Sequence, residues 1–196
     1  MKHEENAIYF VTGNNHKYNE VLDVFKRQNV GYVLKQADLK PIEIQADSIK
    51  DIVVYKLKSV KDKMDDSYFV EDAGFFVDLP LNGFPGVYSS YVLKTIGNEG
   101  IIKLIDNFNN SKAHFITIIA LFFKPFEKVY FFEGIVKGKV SRKLKGEKGF
   151  GFDPIFIPDS IPNKTFAELS IEEKNKVSHR GQALKKLIDF LKKNKK

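Results

Sequence analysis

Residues 113–139, AHFITIIALFFKPFEKVYFFEGIVKGK, decide the fold class. Two runs rich in aromatic and β-branched residues, Ala113–Lys124 and Glu127–Lys139, flank a turn at Lys124-Pro125-Phe126. They are the longest strand candidates in the chain and read as one antiparallel hairpin. Upstream the pattern changes. Ala7–Thr12 is a short β-rich run ending at Gly13, and Val21, Leu22, Val24 and Phe25 then recur at helical spacing within His16–Arg27. Val30–Lys35 follows as a second strand. Ser48 with Asp51 starts a helix that the apolar period carries to Met64. Tyr68–Val70 is a third strand running into Glu71-Asp72, and Phe75–Val77 continues the sheet beyond a bend at Gly74. Leu81–Ser89 reads as a loop and Tyr91–Phe108 as a helix broken near Gly97. Ser141–Asp153 is a Gly/Lys loop, and Ile155–Ile157 is a short strand. Ser170 with Glu173 starts a short helix, and Ser178–Lys193 closes the chain as a longer one. Local crossovers combined with a long antiparallel pair make this a mixed α/β protein, not a purely doubly wound one.

Composition narrows the chemistry. The 196 residues include no cysteine, which excludes disulfides, thiolate metal sites and cysteine nucleophiles. His3, His16, His114 and His179 are too scattered for a metal site, so any metal is a hard cation on carboxylates. The longest apolar run, Phe115–Phe123, is too short to span a membrane, and the N-terminal residues show no secretory pattern, so the cytoplasm is the expected location. Net charge is +7, but the last twelve residues carry six Lys against one Asp, so the rest is near +2. The basicity belongs mostly to a C-terminal tail, with residues 192–196 expected to fray. No basic groove for nucleic acid is visible elsewhere.

Four polar clusters stand just beyond strand ends, where loops over a rigid sheet carry function. Thr12-Gly13-Asn14-Asn15-His16-Lys17 leads into a helix start. Glycine and asparagine tolerate positive φ there, so backbone N–H groups and Lys17 can converge on a phosphate. Glu71-Asp72-Ala73-Gly74 sets two carboxylates side by side, which repel unless a cation is near; strand alternation points one of them at a site. Phe150-Gly151-Phe152-Asp153 offers rings and an acid to a planar ligand. Lys174 through His179-Arg180 gathers donors at a helix start, suited to an acceptor-rich ligand. Each has a plain structural alternative: an ordinary turn, two solvated acids, two core phenylalanines, a solvated basic face. Glu43, Lys50 and Lys56 read individually as surface residues. Together the four clusters describe a nucleotide site.

The motifs TGNNHK (12–17), EDAG (71–74), FPGVYS (84–89), GFGFDPIF (149–156) and AELSIEEKNKVSHR (167–180) resemble, in order, those of the inosine triphosphate pyrophosphatases, the non-standard purine NTP pyrophosphatase family. The resemblance implies a single nucleotide pyrophosphatase domain over residues 1–196. Its fold would be elongated, two-lobed and mixed α/β, with the active site in the cleft between lobes. It implies homodimers, no membrane or specific nucleic-acid partner, and Mg²⁺-dependent hydrolysis of ITP, dITP or XTP to monophosphate and pyrophosphate, with Mn²⁺ as a substitute. By the same resemblance Thr12–Lys17 cradles the triphosphate, with Lys56 near the phosphates. Glu43 and Asp72 bind the metal, Asp72 also accepts a proton, and Lys17 assists catalysis. Ala73 contacts substrate, Phe150 stacks on the purine, and Gly151, Phe152 and Asp153 complete its loop. Lys174, His179 and Arg180 bind at the base end. Ala73 and Phe152 stand where the family more often has Ser and Tyr or Trp. The related septum-formation-type pyrophosphatases, which act on modified pyrimidine nucleotides, fit the FGFDP loop and the SHR segment less well. A nucleic-acid-binding module using the Lys tail is the rival of a different class.

Overall fold

The computed structural model describes residues 6–194. His3 and the last two lysines of the tail lie outside the described residues. Strands β1 (Ala7–Val11), β2 (Val33–Ala37) and β3 (Tyr68–Leu79) pair in parallel, with β1 in the middle. Their connections carry helices α1 (Asn15–Gln28) and α2 (Ile49–Ser59). The hairpin strands β5 (Lys112–Phe123) and β6 (Lys128–Val140) are neighbours joined by a tight turn at Lys124–Phe126, a connection only antiparallel strands allow. Strand β7 (Phe156–Pro158) adds antiparallel to β6, and β4 (Phe84–Gly86) pairs antiparallel with β3. The sheet order is β2-β1-β3-β5-β6-β7. The remaining helices are α3 (Ser89–Thr95), α4 (Gly97–Leu104), α5 (Ile171–Val177) and α6 (His179–Lys193). Among the described residues no helix is long and apolar enough to cross a membrane.

Several boundaries differ from the sequence reading, each for a local reason. The second strand starts at Val33, because Asn29 (φ 43°) and Gly31 (φ 76°) turn the chain out of α1 and leave Val30 buried beside the helix end. The α2 helix stops at Ser59, not Met64. The Ser59 hydroxyl donates back to the Lys56 carbonyl (2.8 Å) and accepts the Ile42 N–H (3.0 Å), which ties the helix end to the preceding loop. The third strand does not bend at Gly74; it runs unbroken for 12 residues. The 81–89 loop holds β4, pinned by buried Ser89, whose Oγ accepts the Phe75 N–H (2.7 Å) and donates to the Gly86 carbonyl (2.6 Å).

The chain divides into two compact units. The first comprises the described residues up to Asp72, Ile118–Glu133 and the chain from Ala183 on. Its core packs Ile8, Phe10 and Phe69 of the sheet with Val21 and Phe25 of α1 and Leu184, Leu187 and Leu191 of α6. The second comprises Ala73–Thr117 and Gly134–Gln182. Its core is aromatic: Phe75, Phe115, Phe152, Phe156 and Phe166 interlock, with Ile101 and Ile155 filling between. Strands β3, β5 and β6 give residues to both.

Two capping boxes brace the second unit. Thr165 N–H donates to Glu168 (2.7 Å), and Ser170 N–H donates to Glu173 (2.7 Å), whose own N–H returns to Ser170 Oγ (3.1 Å). These backbone bonds hold both carboxyls below the usual glutamate range. A folded pKa below the unfolded one stabilises above the unfolded value and is lost as pH falls through the folded one. The melting-temperature advantage of the wild type over Glu168→Gln/Glu173→Gln is therefore expected to be full at neutral pH. It should shrink as pH drops below about 4, measured by thermal melts across a pH series.

Candidate active site

The first unit gathers acids and lysines around the turn after β1 and around Glu71 and Asp72 within β3. The β1 strand ends just before Thr12, whose Oγ1 accepts the Asn14 N–H (3.1 Å), and Asn14 caps α1 by accepting the Lys17 N–H (3.0 Å). Contrary to expectation, neither Gly13 nor Asn14 is at positive φ. Gly13 stands close to Asp38: a Cβ there would come 3.2 Å from Asp38 Oδ1, so that exposed side chain would have to give by a few tenths of an ångström. Asn15 and His16 are exposed on the first turn, and Lys17 leans back toward β3. Its ammonium lies 2.6 Å from Glu71 and 3.9 Å from Asp72. From α2, Lys56 reaches Asp72 at 3.5 Å and Glu43 at 2.7 Å. Asp72 thus stands between two ammonium groups. Glu71 and Asp72 lie inside β3, not at a strand end as expected, and both are engaged where alternation alone suggested one.

Burial sorts these groups. Glu71 is sealed and Lys56 almost so, against the surface reading of that lysine, whereas the Glu43 side chain is 68 % exposed. Burial by itself lowers the Lys56 pKa, but Asp72, then Glu43 and Glu71, outweigh it, so the ammonium is held above its ordinary value. Three residues of this neighbourhood carry no sequence signal of their own. Gln36 donates to the Thr12 carbonyl (3.0 Å) and to Asn15 Oδ1 (3.3 Å), bracing the turn from β2. Asp38 closes on Gly13. Glu20, three residues beyond Lys17 and so on the same helix face, is buried. Only its position as an acid inside an amphipathic helix could have flagged it.

The donor set suits a hard divalent cation. It is all oxygen, doubly negative at β3 and open at Glu43. Among the described residues no three His, Cys, Asp or Glu side chains form a ready cage. Magnesium does not need one, because it is commonly held by one or two carboxylates together with substrate phosphates and water.

The second unit builds a different environment. Gly149 (φ 73°) and Gly151 (φ 68°) fold residues 149–153 tightly, so that Asp153 accepts both the Phe150 N–H (2.8 Å) and the Lys174 ammonium (2.6 Å). That ion pair is fully buried, and such a pair destabilises strongly when one partner is removed. Asn98 donates to the Gly151 carbonyl (3.0 Å). Phe150 is half-buried, with Lys174 Nζ 4.9 Å and Arg180 5.4 Å from its ring centre. Phe152 belongs to the core, stacked on Phe75 at 4.9 Å, so its ring positions the loop. His179 lies flat on Phe115 (4.5 Å, 7° between planes) and is buried, as is Arg180. Ala73, partly exposed on β3, is the first residue of this unit.

Ser178 separates α5 from α6, accepting the Gly181 N–H (3.1 Å). Gly181 admits no side chain, since a Cβ would come within 1.8 Å of the Asn175 carbonyl. The SHRG sequence is therefore a corner that sets His179 and Arg180 at the first turn of α6.

The first unit thus carries an acid–lysine cluster on β3, and the second a cation-faced ring beside buried donors, on a mixed α/β fold. The chain belongs to the Ham1 family, whose model matches residues 8–190. It is 41 % identical to a dITP/XTP pyrophosphatase of Methanopyrus kandleri, over 95 % of this chain and 97 % of that one. It is 43 % identical to a dITP/XTP pyrophosphatase of Thermococcus kodakarensis, over 95 % and 98 %. The Ham1 protein of Staphylococcus aureus has the same mixed α/β fold, with TM-score 0.80 and 27 % identity over 96 % of this chain and all of that one.

Gly181→Ala is expected to lower stability by about 1–3 kcal/mol, the usual result of forcing a methyl into a packed site. Urea titration measures it, and an unchanged midpoint would contradict the close approach to Asn175.

Proposed function

We infer that this chain is a dITP/XTP pyrophosphatase: it hydrolyses non-standard purine nucleoside triphosphates, ITP, dITP and XTP, to the monophosphate and pyrophosphate. The observation that carries the reading is Asp72 between Lys17 and Lys56, with Glu43 and Glu71 beside them. The full-length similarity to enzymes of that name supports it.

The reaction needs an oriented water, charge neutralised on the phosphates and a stable leaving group. Water attacks the α-phosphorus, the bond from α-phosphorus to the bridging oxygen breaks, and pyrophosphate departs. Glu43 and Asp72, joined by Glu71, would hold Mg²⁺, or Mn²⁺ in its place, which when bound neutralises phosphate charge and eases departure of pyrophosphate. Asp72 orients the water and takes its proton. The Thr12–Lys17 turn presents N–H groups to the phosphates. Lys17, assisted by Lys56, stabilises charge on the departing oxygen.

Base selection falls to the second unit. Phe150 stacks on the purine, with Ala73, Gly151, Phe152 and Asp153 shaping its surroundings. Lys174, His179 and Arg180 are donors, and a 6-oxo purine presents an acceptor where adenine presents an amino group. Adenine would leave buried donors facing a donor, which is costly.

The functional unit in this reading is a homodimer, cytoplasmic like the nucleotide pool it serves, with no membrane or nucleic-acid partner. Leu79, Phe84, Tyr88, Tyr91 and Ile96 support the dimer: all are exposed large apolar side chains in one stretch of the second unit, Tyr91 at 70 %. Sedimentation should show a dimer that Tyr91→Glu weakens; a monomer at all concentrations would contradict it. With Mg²⁺ and a panel of NTPs, ITP and XTP are expected to release pyrophosphate far faster than ATP. Asp72→Asn should lower kcat by about 10²–10⁴-fold while KM changes little. Orthophosphate as first product, or equal rates on ATP and ITP, would overturn the assignment.

A further inference from the structure

Away from these residues, but within the second unit, segments 106–111 and 139–145 enclose a cavity of about 440 Å³. Its floor is apolar, made by Ile105, Val140 and Ile157. Its rim carries Lys139, Arg142, Lys143 and Lys145, and Asp106 is the one acid among the lining residues. Among the described residues none of the four cations forms an ion pair with a carboxylate, although Lys145 is near enough to Glu168 to help hold that carboxyl down. Four like charges on one rim repel one another, and an anion relieves that repulsion.

The cavity is preformed. Arg142 donates to the Phe108 carbonyl (3.0 Å), joining the two walls. Ser111 Oγ accepts the Val140 N–H (3.0 Å) and donates to the Val140 carbonyl (3.3 Å). Ser141 Oγ donates to the Lys143 carbonyl (2.7 Å), fixing the turn from which the cations project. Phe108, half exposed, adds a ring to the lining. The volume is that of a small-ligand pocket.

We propose that this cavity binds a phosphate-bearing small molecule of mononucleotide size, its phosphate on Lys139, Arg142 and Lys143 and its ring against Ile105 and Phe108. The site uses no residue assigned to catalysis or base recognition. It is nevertheless wired to the recognition loop, because Ser141 N–H donates to the Ile155 carbonyl (2.6 Å) and Lys145 N–H to the Pro154 carbonyl (3.0 Å). A ligand here steadies the segment that carries Phe150 and Asp153.

The test uses adenosine monophosphate, whose base the proposed active site disfavours, titrated calorimetrically into the full chain. Lys139 and Lys143 are exposed and outside the catalytic machinery, so Lys139→Ala/Lys143→Ala keeps the fold and basal turnover. Saturable binding is expected in the wild type, weakened at least about tenfold in that double variant and unchanged in Arg180→Ala. Inorganic pyrophosphate should compete, since phosphate recognition dominates. Absence of saturable binding, or binding lost in Arg180→Ala but kept in the double variant, would overturn the proposal. So would a single-stranded oligonucleotide that binds far more tightly than the mononucleotide through the same lysines, which would make the rim a nucleic-acid contact.

Discussion

Three carboxylates cannot crowd together beside β3 without cations, and the first unit is organised around that constraint. Glu71 and Asp72 are neighbours on β3, and Glu43 joins them from a loop. Lys17 and Lys56 hold the group together from two different helices. Each lysine is delivered by local structure: Lys17 by the Asn14 cap of α1, Lys56 by the third turn of α2, which Ser48 caps. The consequence is a cluster of three carboxylates and two ammonium groups whose charge is nearly balanced. Glu43, the most exposed member, is the one freest to change partner.

The second unit solves a different problem. It must keep donors dry and aimed. Asp153 anchors Lys174, stacking on Phe115 fixes the plane of His179, and the Gly181 corner fixes the start of α6. Of these contacts the His179 stack belongs to the aromatic core, whereas Lys174 is held by an ion pair and the start of α6 by the Asn175 backbone.

Much of this was legible in the sequence. The hairpin, the opening strand–turn–helix and the capping signals at Ser48 and Ser170 rest on short-range rules, and the structure has them. The acidic pair and the Lys17 turn stood out because adjacent carboxylates and a lysine at a helix start are unusual, but β3 runs on past the pair, which the sequence alone puts at a strand end. What stayed hidden depends on distant partners. Lys56 looks like a surface residue until Asp72 and Glu43 are brought to it. Phe152 is a core ring beside a partly exposed one, a difference that two aromatics in FGF do not reveal. Gly13 invites a reading by φ, but its φ is not positive and its near neighbour is Asp38, twenty-five residues away. Strand length failed at Gly74 because neighbouring strands, not local propensity, decide whether a glycine bends the chain.

The stacking of Phe152 on Phe75 makes the recognition loop an extension of the hydrophobic interior. Warming that interior toward its melting point loosens the loop along with it, whereas the carboxylate–ammonium group depends on another core. Heat therefore reaches the 149–153 loop and the carboxylate–ammonium group through separate packed interiors.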